Sequence, residues 1–130
     1  MGVPRIFVVA DDDRVSQHLN GVLAHLGYEI AGTSASGKDA VRGVKTIQPD
    51  LVLLDVTHED GSNGVETARQ INGNGFRCPV LFLTSSVDQT VLEQVRSVSP
   101  SSYLVKPVEE RHLGPAIEAA LEKFNLEQQL

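Results

Sequence analysis

Leu51-Val52-Leu53-Leu54-Asp55 sets four apolar residues in a row and ends on a carboxylate. Pro49 precedes it, and a polar, glycine-containing loop over residues 57–63 follows. A run this short, apolar on both alternating faces, reads as a strand buried on both sides. The same design recurs along the chain. Ile6-Phe7-Val8-Val9-Ala10 runs into Asp11, Asp12 and Asp13. Val80-Leu81-Phe82-Leu83 runs into Thr84-Ser85-Ser86, and Tyr103-Leu104-Val105 runs into Lys106-Pro107. A weaker strand lies within residues 28–33.

Amphipathic stretches separate these runs. Val15, Leu19, Val22, Leu23 and Leu26 follow helical spacing, and Gly27 stands where a helix C-terminus favours glycine. Ser36 with Asp39 three residues later resembles a capping box. It opens a helix carrying Ala40, Val41, Val44 and Ile47, which Pro49 ends. Val65, Ala68 and Ile71 mark a third helix, followed by a turn over residues 72–75. Asp88 caps a fourth, with Val91, Leu92, Val95 and Val98, closed by Ser99-Pro100-Ser101. Leu113, Ala116, Ile117, Ala120, Leu121 and Phe124 mark the last. Pro115 is awkward inside that helix, because proline removes a donor and clashes with the preceding turn. The expectation is therefore a regular helix from near Gly114, with residues 109–112 as a separate turn. Five repeats of strand and helix give an α/β fold, (βα)5, with helices on both faces of a parallel sheet.

The chain has 130 residues, about one domain. Hydrophobic residues make up 41% and charged residues 22%, which argues against disorder. A net charge of −6 disfavours direct binding to nucleic acid or to an anionic membrane. The single cysteine, Cys78, excludes an intrachain disulfide framework and a thiolate-rich zinc site. No apolar run approaches the roughly 20 residues of a membrane span, and the stretch before Asp11 is not a signal peptide. A cytoplasmic setting is the expectation.

In an open parallel α/β sheet, ligands bind outside the carboxyl ends of the strands. Asp11, Asp12, Asp55, Thr84 and Lys106 all fall there. Neighbouring carboxylates want a cation between them, and oxygen ligands suit a hard ion such as Mg2+. Mg2+, Lys106 and the Thr84 hydroxyl together offer the positive charge and donors that a phosphoryl group needs. One carboxylate is also a candidate nucleophile.

From Ile6 to about Phe124 this constellation resembles the receiver domain of two-component response regulators. The resemblance implies the CheY-like, flavodoxin-like doubly wound sheet with strand order 2-1-3-4-5. It implies that Asp55 is the phosphoacceptor and that Lys106 pairs with the phosphoryl group. It implies that Thr84 is a switch hydroxyl coupled to Tyr103, and that the Lys106–Pro107 bond is cis. It implies a Mg2+ site made by Asp11, Asp55 and the backbone carbonyl of Thr57. A sensor histidine kinase or phosphotransfer protein then supplies the phosphoryl group. The response is a change in the face formed by helix 4, strand 5 and helix 5, which serves a downstream domain, a target protein or a homodimer. Such a domain is not an enzyme beyond its own phosphorylation and dephosphorylation. Residues 1–124 form the receiver, and residues 125–130 continue the last helix toward a linker.

Two departures stand out. The family usually carries an acidic pair after strand 1; ungapped matching places Ala10 at the first acidic position and Asp11 at the second. A one-residue shift makes Asp11 and Asp12 the pair instead, but the ungapped match keeps Val15, Leu19 and Val22 on the buried helical face. The loop after Asp55 is also one residue longer than usual and ends in Asn63-Gly64. It resembles a subgroup with a lengthened loop that often precedes sensor or kinase modules.

Asp12 and Asp13 also suit a plain helix N-terminus, where aspartate opposes the helix dipole. His18, His25, His58 and His112 share no metal-ligand spacing, and Cys78 reads as a small buried apolar group. Two other functions compete with phosphoacceptance. One is a degenerate receiver acting as a phosphorylation-independent interaction module, favoured by Ala10. The other is a phosphatase or flavin enzyme on the same fold, disfavoured because three aspartates replace a phosphate-binding loop.

Overall fold

The computed structural model describes residues 2–56, 62–73, 76–84 and 103–129, together with Glu93. Five strands form one parallel sheet: β1 (Arg5–Val9), β2 (Glu29–Ser34), β3 (Leu51–Val56), β4 (Val80–Thr84) and β5 (Tyr103–Val105). Their order is β2-β1-β3-β4-β5, as the resemblance implied. Four helices are described, α1 (Asp13–His25), α2 (Gly37–Ile47), α3 (Ser62–Ile71) and α4 (Glu110–Gln128). The expected helix between β4 and β5 and most of the loop after β3 lie outside the described residues, as do Thr57 and His58.

The helix ends follow their local chemistry. Asp12 caps α1, its side chain accepting from the Arg14 N–H at 2.8 Å. Gly27, at φ 91°, takes the left-handed conformation after α1 that suits glycine. Ser36 caps α2, accepting from the Asp39 N–H at 3.2 Å. The Arg42 guanidinium and Ser36 hold the Asp39 carboxyl below its usual range.

Alternation along the strands builds two cores. Phe7, Val9, Val52, Leu54, Val80 and Phe82 face α2 and α3. Ile6, Val8, Leu51, Leu53, Leu81 and Leu83 pack with Leu19 and Leu23 of α1 and Leu113 and Ile117 of α4. Cys78 is buried, and burial pushes its thiol up to about 12.

The last helix corrects the sequence expectation. Residues 109–112 are not a separate turn; α4 starts at Glu110 and runs through Pro115 without a break. In the first turn, the N–H groups of His112 and Leu113 both donate to the Glu109 carbonyl at 3.0 Å. Leu113, Ile117 and Ala120 are buried along one stripe of α4, and burying that stripe outweighs the one hydrogen bond that proline cannot make.

Candidate functional site

Strand register brings the polar strand ends together. In β3 and β4, Asp55 pairs with Leu83 and Val56 with Thr84; in β4 and β5, Thr84 pairs with Val105. The ladder continues one step past β5, where the Lys106 N–H donates to the Thr84 carbonyl at 2.8 Å. Asp55 follows Leu51 and Leu53, and Lys106 follows Leu104, so both fall on the α1/α4 side of the sheet. Thr84 follows Val80 and Phe82 on the opposite side, the side on which Tyr103 packs.

Side-chain geometry matches that register. Lys106 Nζ lies 2.6 Å from Asp55 Oδ1, with the aspartate side chain 1% exposed and the lysine side chain 26% exposed. An open cleft of about 700 Å³ is lined by Asp11, Asp12, Asp13, Arg14, Asp55 and Lys106. Thr84 is fully buried, and its Oγ1 has no hydrogen-bond partner among the described residues. A hydroxyl left so costs its desolvation until an acceptor arrives. Tyr103 is half-buried on the edge strand. The Lys106–Pro107 peptide bond is cis, as the resemblance implied.

The acids after β1 divide by role. Ala10 is 4% exposed, and its N–H donates to the Ser34 carbonyl at 3.0 Å. Val9 pairs with Leu54, so the next step in that register sets Ala10 beside Asp55. Asp11 lines the cleft, while Asp12 is engaged in capping α1 and lies 3.7 Å from Arg14 Nε. Among the described residues, no group of three His, Cys, Asp or Glu side chains is placed to hold a metal. Asp11, Asp12, Asp13 and Asp55 all line the cleft, so carboxylate oxygens of the kind a hard cation takes are present there.

His25 is far from this chemistry; its Nδ1 meets Glu110 Oε1 at 2.5 Å, tying the end of α1 to the start of α4. Sequence reasoning missed that contact, because its two residues are 85 positions apart.

The family model of the response regulator receiver domain matches residues 6–118. The chain belongs to the response regulator receiver domain family. This receiver is 33% identical over 123 residues to the transcriptional regulatory protein PdtaR of Mycobacterium tuberculosis, covering 94% of the chain and 59% of PdtaR. It is 34% identical to the solved signal receiver domain of a modulated diguanylate cyclase from Desulfovibrio desulfuricans, with a TM-score of 0.85 and coverage of 96% and 98%. The N-terminal domain of a response regulator/sensory box/GGDEF protein from Carboxydothermus hydrogenoformans is 31% identical, with a TM-score of 0.78 and coverage of 95% and 98%. The receiver spans 59% of PdtaR and 52% of AfsQ1 of Streptomyces coelicolor, so both relatives are longer proteins. It is a signalling domain of two-component systems. Among the described residues, no helix is long and apolar enough to cross a membrane.

Proposed function

We propose that Asp55 is the phosphoacceptor of this receiver and takes its phosphoryl group from a phosphohistidine on a sensor kinase or phosphotransfer protein. The observation that carries the reading is the 2.6 Å pair between Lys106 Nζ and the almost fully buried Asp55 carboxylate, inside an acid-lined cleft. An Asp55 oxygen attacks phosphorus as the P–N bond to the donor imidazole breaks; the bonding pair stays on that ring nitrogen, and a proton carried on the other ring nitrogen lets the imidazole depart neutral. Lys106 follows the charge from the Asp55 carboxylate to the phosphoryl oxygens. Thr84, whose hydroxyl has no partner among the described residues, donates to one of those oxygens. Its movement opens space on the side of the sheet where Tyr103 packs, and Tyr103 follows it. A local charge event thereby biases a two-state element at the β5 edge.

The donor set fits Mg2+. Asp11 and Asp55 would hold it, with the Thr57 carbonyl as a third ligand by family resemblance. When bound, Mg2+ supplies positive charge against the charge gathering on the transferring phosphoryl group. Residues 1–124 form the receiver, and residues after 124 carry the helix toward a linker. Its setting is cytoplasmic, and its output is a downstream domain, a target protein or a homodimer formed at the β5 edge.

Incubation with acetyl phosphate and Mg2+, followed by intact mass, tests the assignment. One added phosphoryl mass that vanishes in Asp55→Asn supports it. Equal labelling of the variant sinks it. A second reading, an interaction module that does not need phosphorylation, is favoured by Ala10 where the family usually has an acid; wild type that takes no label at saturating Mg2+ would establish that reading.

A further inference from the structure

A second concavity lies at the amino ends of the strands, opposite the Asp55 cleft. Residues just before β1, β3 and β4 and the second half of α4 enclose an open groove of about 780 Å³. Pro4, Pro49 and Pro79 stand at the entries to those three strands, which restricts the loops on that side. Phe76, Leu121 and Phe124 supply apolar lining, and Phe124 is half-buried without joining either core. Leu126, 56% exposed, also lines the groove, and Val3, 55% exposed, lies between its lining residues Gly2 and Pro4. Apolar surface left open inside a polar rim marks an interaction face.

The rim is charged. Asp50, Glu118 and Glu122 line it with one cation, Arg77, a formal excess of two negative charges. Asp50 accepts from the Arg5 backbone N–H at 2.8 Å and Glu118 from the Tyr28 hydroxyl at 3.1 Å, so neither donor brings a counter-charge. Glu122 and Arg77 are exposed and make no side-chain hydrogen bond or ion pair among the described residues. A cation held at the far ends of the strands, more than a screening length away, would leave this balance unchanged.

We infer that this groove docks a cationic amphipathic helix of a partner protein, with apolar side chains against Phe124 and Leu126 and basic ones along the Asp50, Glu118 and Glu122 rim. Charge complementarity selects the occupant. A second copy brings the same negative rim and a net charge of −6, and a nucleic acid or an anionic bilayer is also negative. Neither edge strand, β2 or β5, contributes to the groove, so an extended peptide finds no open strand to join there and anchoring falls to side chains. The groove shares no residue with the Asp55 cleft, and the inference does not depend on phosphorylation.

The probe is a synthetic amphipathic helix of about four turns, with leucines on one face and lysines along its borders. Its controls are a scrambled peptide of the same composition and the same helix with glutamates for lysines. Fluorescence anisotropy measures binding to the full chain in the presence of Mg2+, and amide chemical shifts locate it. The leucine–lysine helix should bind at least about tenfold more tightly than either control, with shifts at residues 48–50, 76–79 and 118–126. Glu122→Lys should weaken it about three- to tenfold at low salt and less in about 0.5 M salt. Glu66→Lys, an equal change of charge on the exposed surface of α3, should weaken it less than about twofold. No binding, equal binding of the scrambled peptide, equal loss in the two variants, or shifts centred on residues 11–14 would overturn the docking site. Self-association of the unliganded chain through residues 118–126 would overturn it too, by giving the groove to a second copy.

Discussion

Lys106 and Asp55 are joined at both ends of one short path: the lysine backbone N–H extends the sheet by donating to the Thr84 carbonyl at 2.8 Å, while its Nζ reaches Asp55 Oδ1 at 2.6 Å. The strand ladder thus sets the lysine's origin, and the side chain has only to cross to β3. Exposure within the pair is unequal, 1% for the aspartate and 26% for the lysine side chain. Removing either partner should therefore have different consequences.

Lys106→Met leaves a buried carboxylate without its cation and should cost about 1–3 kcal/mol of stability. Asp55→Asn leaves a lysine that can reach water and should change stability by less than about 1 kcal/mol. Urea unfolding of the two variants at neutral pH measures this. Equal losses would show that the lysine depends on the pair as much as the aspartate does.

The buried Thr84 hydroxyl gives a prediction of opposite sign in two states. Thr84→Val keeps the shape and deletes a buried polar atom without a partner among the described residues, so the resting protein should be as stable as wild type or more so, by up to about 1 kcal/mol. The same change should shorten the lifetime of the aspartyl phosphate. Thermal unfolding and the decay of the phosphorylated mass read the two effects separately.

Ala10 tests the proposed metal site. It stands beside Asp55 in the β1–β3 register, so Ala10→Asp adds a carboxylate on the cleft side and should tighten Mg2+ binding about tenfold. Asp11→Asn should weaken it. Asp12→Ala should instead cost about 1 kcal/mol of stability through loss of the α1 cap. Mg2+ titration by calorimetry with parallel unfolding curves distinguishes these; metal loss in Asp12→Ala alone would favour the shifted acidic pair.

Gly43 lies in α2 over the Phe7 ring, and a Cβ there would sit 2.8 Å from Phe7 Cζ. Alanine in a helix is normally favoured over glycine by about 0.5–1 kcal/mol. Here the ring is 2% exposed and hemmed in, so Gly43→Ala should destabilise by about 1–3 kcal/mol. Phe7→Leu should absorb most of that cost in the double variant. Additive losses in the cycle would exclude the ring as the cause.

Pro115→Ala should stabilise the domain by about 1–2 kcal/mol, because it restores an amide donor within α4 at an exposed position. Denaturant midpoints check the sign, and an unchanged midpoint would mean that the helix has already absorbed the proline.

The apolar runs ending in Asp55, Thr84 and Lys106 are legible in the sequence, because a short strand buried on both faces has to be apolar throughout. The caps at Ser36 and Gly27 are legible because they act over three or four residues. Pro115 misleads for the same reason: a local rule forbids the helix, and the Leu113, Ile117 and Ala120 stripe that overrides it matters only against the sheet. The linear order of residues thus states which chemical groups stand at the strand ends and, with the family pattern, which roles they suit. Packing settles the rest: the register that places Ala10 beside Asp55, the use of Asp12 as a cap, the full burial of Thr84 and the meeting of His25 with Glu110. Each of these depends on where a distant segment comes to lie, and a side chain's local sequence does not encode the distance to a neighbour on another element.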